Sequence, residues 1–273
     1  MKFGCCVNML PGVKHLAGAK YFDTLAELGY DYVEIPLNML SQLSDDEVKQ
    51  VRAALRSSGL PCRTCNDFMP TSYQIVGSDL TPREEIKRYL KRAFYLIGQE
   101  GMGADYTVFG SPWSRSCPDG FDKETAFCQI EDFLLDAAVL AEQNGITIVL
   151  EAINHTETNM INRLPDALRL VRHANHPNIK ALCDYYHIRM EEDHPSVVLE
   201  GGELIAHTHI AKRLGRSYFT DCDGEAPMVY QFADALRSMG YDGGMSLEAR
   251  PSSEEAWKHE AALSLAELHR IFD

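Results

Sequence analysis

The sequence alternates eight short apolar runs with eight longer amphipathic stretches, and this alternation restricts the fold more than any other feature. Short β-branched runs bounded by turn residues predict strands, and Ile146-Thr-Ile-Val-Leu150 is as apolar as a strand buried on both faces. The predicted strands are Lys2–Val7, Tyr32–Pro36, Cys62–Asn66, Tyr106–Gly110, Thr147–Glu151, Lys180–Asp184, Ala206–Ile210 and Met245–Glu248. The predicted helices are Lys14–Leu28, Ser44–Ser58, Pro82–Gly101, Lys123–Asn144, Leu164–Ala174, Pro195–Gly201, Met228–Met239 and Ser253–Phe272.

Local signals support several of these helix boundaries. Ser44-Asp-Asp-Glu47 is typical of a capping box. Pro82 is predicted at the first helical position, where the missing N–H of proline costs nothing. Glycine follows four of the predicted helix ends, at Gly29, Gly59, Gly145 and Gly240.

Repeated strand–helix units predict a parallel sheet with helices packed on it. The 273 residues contain no linker or change of composition, so we expect one (β/α)8 TIM barrel over residues 1–273. A doubly wound open sheet is the alternative, but Val7-Asn-Met-Leu-Pro-Gly12 is not the glycine-rich turn expected after its first strand. Long loops follow the third, fourth and seventh strands, at the mouth where barrels carry their chemistry: Asp67–Leu80, Ser111–Phe121 and Ala211–Pro227.

The charge balance restricts the partners of the chain. It has 26 Lys and Arg against 40 Asp and Glu, a net charge of −14. Binding to nucleic acid needs clustered Lys and Arg, so we expect no nucleic-acid partner. There is no apolar run of about 18 residues and no signal peptide in MKFGCCVNMLPG, so we expect no membrane partner.

The eight cysteines are scattered along a long chain, which disfavours a disulfide framework. Cys5, Cys62 and Cys183 lie in predicted strands, where a thiol acts as a small apolar side chain. We therefore expect a reducing, cytoplasmic location. Cys62-x-x-Cys65 is disfavoured as a redox or zinc pair, because no second such pair accompanies it.

The last four predicted strands end in potential metal ligands. These residues are Glu151, Asp184, His209 and Glu248. The carboxyl ends of barrel strands meet on one face, and neighbouring strands lie less than about 5 Å apart, so the four side chains can converge on one ion. Three carboxylates and one imidazole suit Mn²⁺, Mg²⁺ or Co²⁺. The sequence therefore predicts a divalent metal site at the mouth.

Further polar and aromatic residues follow the fourth to seventh predicted strands, and they are our candidates for binding a substrate. They are Trp113, Asn154, Glu157, His187, Arg213 and Arg216. Trp113, with Phe109 near it, offers an apolar wall for a sugar or else belongs to the core. His207 precedes His209 by two residues, so both point to the same side of a strand. Lys212 with the two arginines is also a possible phosphate site.

Four segments of the chain resemble the sugar isomerase/epimerase superfamily with the xylose isomerase-like barrel, and most closely its ketose 3-epimerases (the tagatose and psicose group). The segments are Val149-Leu-Glu-Ala-Ile-Asn-His-Thr-Glu157, Cys183-Asp-Tyr-Tyr-His187, His207-Thr-His209 and Ser246-Leu-Glu248. Val33-Glu34 and Gly110-Ser-Pro-Trp113 are similar as well, so the resemblance spans nearly the whole chain.

The resemblance implies that the four strand-end residues bind a divalent ion, usually manganese. It also implies that Glu151 and Glu248 act as the acid/base pair. Glu157 and His187 would then hydrogen-bond the O1 and O2 end of the sugar. The arginine of the family falls at Gly215 here, between Arg213 and Arg216, so the sequence leaves open which of the two takes its place.

These groups suit epimerisation of a ketose at C3. Removing a proton beside a carbonyl creates an enediolate, whose negative oxygens need preorganised positive charge. Two carboxylates on opposite sides of the carbon would take one proton and return another, which inverts the centre. We expect this reaction, with Glu151 and Glu248 as the proton-transfer pair and a small-molecule sugar as the partner.

Other functions use similar groups. The same site would serve an aldose–ketose or hydroxypyruvate-type isomerase, or an inosose dehydratase. An endonuclease IV-like DNA-repair enzyme would need more ligands on the early strands than Glu34, Asn66 and Asp67, together with a basic groove. A metal-free binding module is a further alternative. Relatives commonly form dimers or tetramers, so a homodimer or homotetramer is possible.

Overall fold

Eight parallel strands, each hydrogen-bonded to the next and the last to the first, form a closed barrel. The computed structural model describes Met1–Asp273 and has its strands at β1 (Lys2–Cys6), β2 (Tyr32–Pro36), β3 (Cys62–Asn66), β4 (Tyr106–Phe109), β5 (Thr147–Glu151), β6 (Ile179–Asp184), β7 (Ile205–Ile210) and β8 (Gly244–Leu247). The predicted (β/α)8 barrel is thus confirmed, and the open sheet is excluded.

Helices surround the barrel and bury their apolar faces against the strands. They are α1 (Phe22–Leu28), α2 (Leu37–Gln42), α3 (Asp45–Ser58), α4 (Arg83–Ile97), α5 (Pro112–Arg115), α6 (Lys123–Glu142), α7 (Leu164–Ala174), α8 (Tyr185–Met190), α9 (Met228–Ser238) and α10 (Trp257–Phe272). Short 3₁₀ turns connect them at Val7–Met9, His15–Tyr21, Pro195–Glu200, Gly202–Leu204 and Leu214–Arg216.

Several predicted boundaries were wrong. The helix predicted over Lys14–Leu28 is broken, because Leu16, Ala17 and Gly18 have positive φ; only its second half is α-helical. The segment predicted as a helix over Pro195–Gly201 is a 3₁₀ turn. The last helix begins at Trp257, four residues later than predicted.

Other differences concern single residues and very short elements. Pro82 caps α4 rather than occupying its first turn, since its ψ of 130° is extended. Strands β1, β4 and β8 end one residue early, which leaves Glu248 just beyond its strand. The short helices α2, α5 and α8 were not predicted, because four to six residues are too few to show helical periodicity.

The capping box and two of the four predicted glycine caps are present, whereas α6 and α9 are capped by Gln143 and Met239. The Ser44 hydroxyl accepts a hydrogen bond from the Glu47 amide, and the Glu47 carboxylate accepts one from the Ser44 amide, which completes the capping box. Gly29 and Gly59 end their helices with positive φ, which glycine adopts without strain.

The interior of the barrel has an apolar half and a polar half. Val108, Val149 and Leu182, from β4 to β6, pack together as a small apolar cluster. The opposite half is polar and fully buried, with Tyr32 and Glu34 from β2, His207 and His209 from β7, and Ser246 from β8. A buried polar layer of this kind needs internal partners for every group, and this layer lies directly beneath the mouth.

Two glycines leave room for the Tyr32 ring inside the barrel. A Cβ on Gly4 of β1 would lie 2.1 Å from Tyr32 Cε2, and one on Gly244 of β8 would lie 2.7 Å from its hydroxyl. The ring fits only because these two strands present no side chain there. Its hydroxyl lies 3.0 Å from Ser246 Oγ, which ties the ring to the polar layer.

The cysteines are all free, and Cys5, Cys62 and Cys183 are buried among apolar side chains as predicted. The Sγ atoms of Cys62 and Cys65 lie 3.6 Å apart. No helix in the structure has the length and apolar character needed to cross a bilayer.

We predict that Gly4→Ala lowers the free energy of unfolding by about 1–3 kcal/mol, the usual cost of overpacking a core. In the Tyr32→Leu background the same substitution should cost much less, because the clashing ring carbons are absent. Chemical denaturation of the two single variants and the double variant measures this coupling. Strict additivity of the two effects would contradict the packing described above.

Candidate active site

Four side chains at the mouth converge as the strand ends predict. Ligand atoms of Glu151, Asp184, His209 and Glu248 all lie within 4.8 Å of one another, and all four residues are buried. In the pairing of β6 with β7, Asp184 lies directly beside His209. The backbone N–H of Glu248 donates to the Ile210 carbonyl of β7 at 3.1 Å, which fixes Glu248 next to that strand. We call these four residues the donor cluster.

Glu34 determines which ring nitrogen of His209 faces the donor cluster. His209 Nε2 lies 2.9 Å from Glu34 Oε1, whereas Nδ1 lies 3.1 Å from Glu248 Oε2 and 3.4 Å from Glu151 Oε1. The ring therefore donates its Nε2 proton to Glu34 and presents Nδ1 to the cluster. Histidine ligands of metals are commonly oriented by a carboxylate in this way.

Other buried groups hold Glu34 in turn. Its Oε2 accepts from Ser246 Oγ at 2.6 Å and lies 3.0 Å from His207 Nε2. His207 and His209 point to the same side of β7, as their spacing predicts, and both contact this carboxylate. Burial opposes ionisation of Glu34, but the two histidines outweigh it and hold its pKa well below the usual range.

The donor cluster has the chemistry of a divalent cation site. Two of its carboxylate oxygens, Glu151 Oε1 and Asp184 Oδ2, are buried and have no hydrogen-bond partner. Leaving buried acceptors unpaired is costly, and a cation satisfies both at once. Oxygen-rich donor sets of this type suit hard or borderline divalent ions.

Burial and nearby charges shift the pKa values of the three carboxyl groups of the donor cluster in different directions. Burial, with the nearby charges of Glu151 and Glu248, raises the pKa of Asp184 to about 7 despite the opposite effect of Arg216. Burial also raises the pKa of Glu151. Burial acts the same way on Glu248, but Arg216 and His209 overcome it and lower its pKa to about 2.

Only one of the two candidate arginines reaches the cluster. Arg216 Nη2 contacts the Glu248 carboxylate and lies 3.6 Å from Asp184 Oδ2, and its Nη1 lies 3.9 Å from Glu157 Oε1. Arg213 instead donates to Glu192 Oε1 at 3.0 Å on the surface. Gly215 and Arg216 both have positive φ, and this bend turns the Arg216 side chain inward.

Asn154 connects two of the other candidates. Its side-chain Nδ2 lies 3.0 Å from Glu157 Oε1 and 2.8 Å from His187 Nδ1, and its Oδ1 accepts from Thr156. The backbone N–H of Asn154 also donates to His187 Nδ1 at 3.2 Å. His187 therefore carries its proton on Nε2, which lies 3.5 Å from Asp184 Oδ2. Asn154 is fully buried, and both its side-chain Nδ2 and its Oδ1 contact protein groups.

Two residues whose role the sequence did not reveal support Glu151. Arg115 of α5 is fully buried and donates to the Glu151 carbonyl at 2.8 Å and to the Phe109 carbonyl at 3.4 Å. A Cβ on Gly110 would lie 2.5 Å from Glu151 Oε2, so only glycine leaves space for that carboxylate. The segment that follows β4 therefore fixes the end of β5.

The remaining candidates lie around the rim. Trp113 is 54% exposed, whereas Phe109 is fully buried against Phe68 and Phe133 and belongs to the core. Lys212 is paired with Asp221. Arg213 and Arg216 are paired as well, with Glu192 and Glu248, so each of the three cations has a carboxylate neighbour.

The fold and the donor cluster define a barrel with a candidate metal site at its carboxyl rim. A family model described as xylose isomerase-like TIM barrel matches residues 22–268, and the chain belongs to this family.

Curated relatives and solved structures are similar over most of their length. The chain is 26% identical to a D-psicose 3-epimerase of Ruminiclostridium cellulolyticum over 84% of this chain and 76% of the relative. It is 26% identical to a 3-dehydro-D-guloside 4-epimerase of Escherichia coli over 86% of this chain and 87% of the relative. A crystal structure of a D-psicose 3-epimerase in the presence of D-fructose superposes with a TM-score of 0.86 at 19% identity, covering 100% of this chain and 99% of that one.

Glu34 is the most informative residue whose role the sequence did not reveal. The signal was an acid within the buried run Tyr32-Val-Glu-Ile-Pro36, because a buried charge requires a partner. Its partners lie 173 and 175 residues away on β7, which local patterns do not show. Gly110 belongs to a segment that resembles the family, but nothing in the sequence indicated its contact with Glu151, and Arg115 gave no signal.

We predict that Glu34→Gln weakens Mn²⁺ binding by about 10–100-fold, the usual effect of removing the partner that orients a metal-binding histidine. Calorimetric titration of metal-free protein measures the Kd. Glu27→Gln on the exposed face of α1 is the matched control and should bind as wild type does. An unchanged Kd in Glu34→Gln would show that His209 is oriented without this carboxylate.

Proposed function

We propose that this protein epimerises a ketose, or a close ketose derivative, at C3 with the help of a divalent cation held by the donor cluster. The observation that carries the proposal is the convergence of Glu151 and Glu248 on His209 Nδ1, within one buried site that also contains unpaired carboxylate oxygens. The protein is an enzyme of the isomerase class, as its epimerase relatives are.

The two glutamates are the proton-transfer pair of this proposal. Glu151 ends β5 and Glu248 follows β8, and in this proposal the two carboxylates flank the substrate carbon. One takes the proton next to the carbonyl, and the other returns a proton to the opposite face, which inverts the centre without a redox cofactor.

Glu151, Asp184, His209 and Glu248 would hold the cation, and Mn²⁺ is our proposal for its identity. When bound, it supplies positive charge that stabilises the negative oxygens of the enediolate. Arg216 adds a fixed positive charge beside Glu248 and Asp184. Positive charge that is already in position before the reaction lowers the barrier most effectively.

Glu157 and His187 would bind the O1 and O2 end of the sugar. His187 is neutral, because burial and the charge of Arg216 hold its pKa well below the usual range, so its Nε2–H is a donor. The Glu157 carboxylate, which accepts a hydrogen bond from Asn154 Nδ2, would accept another from a sugar hydroxyl. Asn154 fixes the separation of these two groups and so acts through them rather than on the sugar.

Either Glu151→Gln or Glu248→Gln should lower solvent-deuterium incorporation at C3 by at least about 100-fold, within the range for loss of a general acid or base. Proton NMR of D-fructose or D-psicose incubated with Mn²⁺ in D₂O measures the exchange. Glu192→Gln on the exposed rim is the control. Exchange at the wild-type rate in both variants would rule out this pair.

Arg216→Ala should lower kcat/KM by about 10–100-fold, the usual range for loss of a hydrogen bond to a charged group. Arg213→Ala should change it by less than about threefold, since a surface ion pair contributes little. Thermal unfolding of both variants separates this effect from misfolding. Equal losses in the two variants would mean that Arg213 also reaches the substrate.

The same NMR experiment separates the related reactions. Deuterium at C3 with inversion is the expected product for a ketose. Transfer between C1 and C2 would indicate an aldose–ketose isomerase, and loss of water would indicate a dehydratase. Inversion at C4 of a 3-keto sugar would match the reaction named for the Escherichia coli relative.

A further inference from the structure

One cysteine lies beside the donor cluster, at the carboxyl end of β1. Cys6 is 1% exposed, and its Sγ lies 3.9 Å from His209 Nε2. In the pairing of β1 with β2, Cys6 lies beside Glu34, which points into the barrel. The thiol therefore faces the polar half of the interior, although β1 contributes no residue to the donor cluster.

The preceding cysteine points the other way. Successive residues of a strand face opposite sides of a sheet, so Cys5 faces away from the barrel interior. Cys5 packs in the large apolar core, which does not include Cys6. The two residues share their type, their strand and their 1% exposure, and they differ in whether the thiol reaches His209.

Cys6 belongs to a second set of metal-binding side chains, which overlaps the donor cluster. Ligand atoms of Cys6, His209 and Glu248 all lie within 4.8 Å of one another, and we call these three residues the thiol set. A tetrahedral zinc ion with Zn–S about 2.3 Å and Zn–N about 2.0 Å holds its sulfur and nitrogen ligands about 3.5 Å apart. The 3.9 Å between Cys6 Sγ and His209 Nε2 is close to this separation, so little movement is needed.

The two ligand sets favour different ions. The donor cluster offers three carboxylates and one imidazole, which suit hard or borderline ions such as Mn²⁺. In the thiol set a sulfur atom replaces Glu151 and Asp184, and sulfur ligands favour Zn²⁺ over Mn²⁺. Coordination displaces the thiol proton, which leaves to the solvent. A thiophilic ion therefore gains a ligand at Cys6 that Mn²⁺ does not use.

The two sets exclude each other, because both need His209 and Glu248. The nitrogen of His209 nearest to Cys6 is Nε2, which also donates its proton to Glu34. An ion on Nε2 takes the place of that proton and so removes the hydrogen bond that presents Nδ1 to the donor cluster. With the thiol set filled, only Glu151 and Asp184 remain for an ion in the donor cluster.

We propose that Cys6, His209 and Glu248 form a second site for a thiophilic divalent ion, Zn²⁺ in particular, and that an ion in this site excludes one from the donor cluster. Cys6 thereby makes the protein more sensitive to zinc. The inference concerns the binding of ions, so it is tested without a sugar and independently of the proposed epimerisation.

Cadmium is the probe for the sulfur ligand, because a Cd²⁺–thiolate bond gives an ultraviolet charge-transfer band that carboxylate and imidazole ligands do not give. The band is measured in metal-free protein with the two more accessible thiols replaced, Cys128→Ser and Cys222→Ser. Adding Cys6→Ala or Cys6→Ser should lower the band, whereas Cys5→Ala, the matched control, should leave it unchanged. A contribution from Cys62 and Cys65 is common to all variants and cancels.

Thermal unfolding of each metal-free variant checks that it is folded, and the two substitutions at Cys6 provide independent measurements. A band of equal amplitude in the Cys6 variants and in Cys5→Ala would overturn the proposal. Saturating Mn²⁺ should suppress the part of the band that depends on Cys6. If that part persisted with Mn²⁺ in excess, the two sites would not overlap, and the proposed exclusion would be wrong.

Calorimetric titration with Zn²⁺ and with Mn²⁺ measures the selectivity. Cys6→Ala should raise the Kd for Zn²⁺ by at least about tenfold, because the ion loses a sulfur ligand, and the Kd for Mn²⁺ by less than about threefold. Cys5→Ala should bind both ions as wild type does. Equal changes for the two ions in Cys6→Ala would show that the thiol does not discriminate between them, and would overturn the proposal.

Discussion

Closure of the parallel ladder is the constraint on which the rest of the structure depends. Because β8 pairs with β1, all eight strands end at one rim, and every strand contributes its terminal residues to the same small space. Register then decides which residues meet there, and the pairing of Asp184 with His209 is one example. A shift of one residue in a strand would turn its ligand outward.

The polar half of the barrel interior shows how the protein offsets the free-energy cost of burying several charged groups together. Four buried carboxylates, Glu34 and three in the donor cluster, lie around His209. Removing charge from water is costly, so each carboxylate needs compensation. Glu34 receives it from two histidines and Ser246, and Glu248 from Arg216, whereas Glu151 and Asp184 retain unpaired oxygens. The protein scaffold thus pairs the carboxylates of Glu34 and Glu248 and leaves unpaired two carboxylate oxygens that a cation would bind.

The two sides of the mouth have different chemistry. On the β5–β7 side, Asn154 holds Glu157 and His187 at a fixed separation, and Arg216 supplies positive charge. The β1–β3 side offers amide oxygens and one carboxyl group, from Asn8, Asn38, Asn66 and Asp67.

The sequence by itself determined the barrel, the order of its strands and the four residues of the donor cluster, because apolar periodicity and the residue that ends each strand are local properties. It did not determine that Arg216 rather than Arg213 turns inward, since that depends on positive φ at Gly215 and Arg216. It also did not reveal that Glu34 orients His209, that Gly110 and Arg115 support Glu151, or that three asparagine oxygens lie unpaired around the mouth. These facts belong to the tertiary structure, because each depends on contacts between strands and loops far apart in the chain, and a closed barrel brings such residues together whatever their separation in sequence.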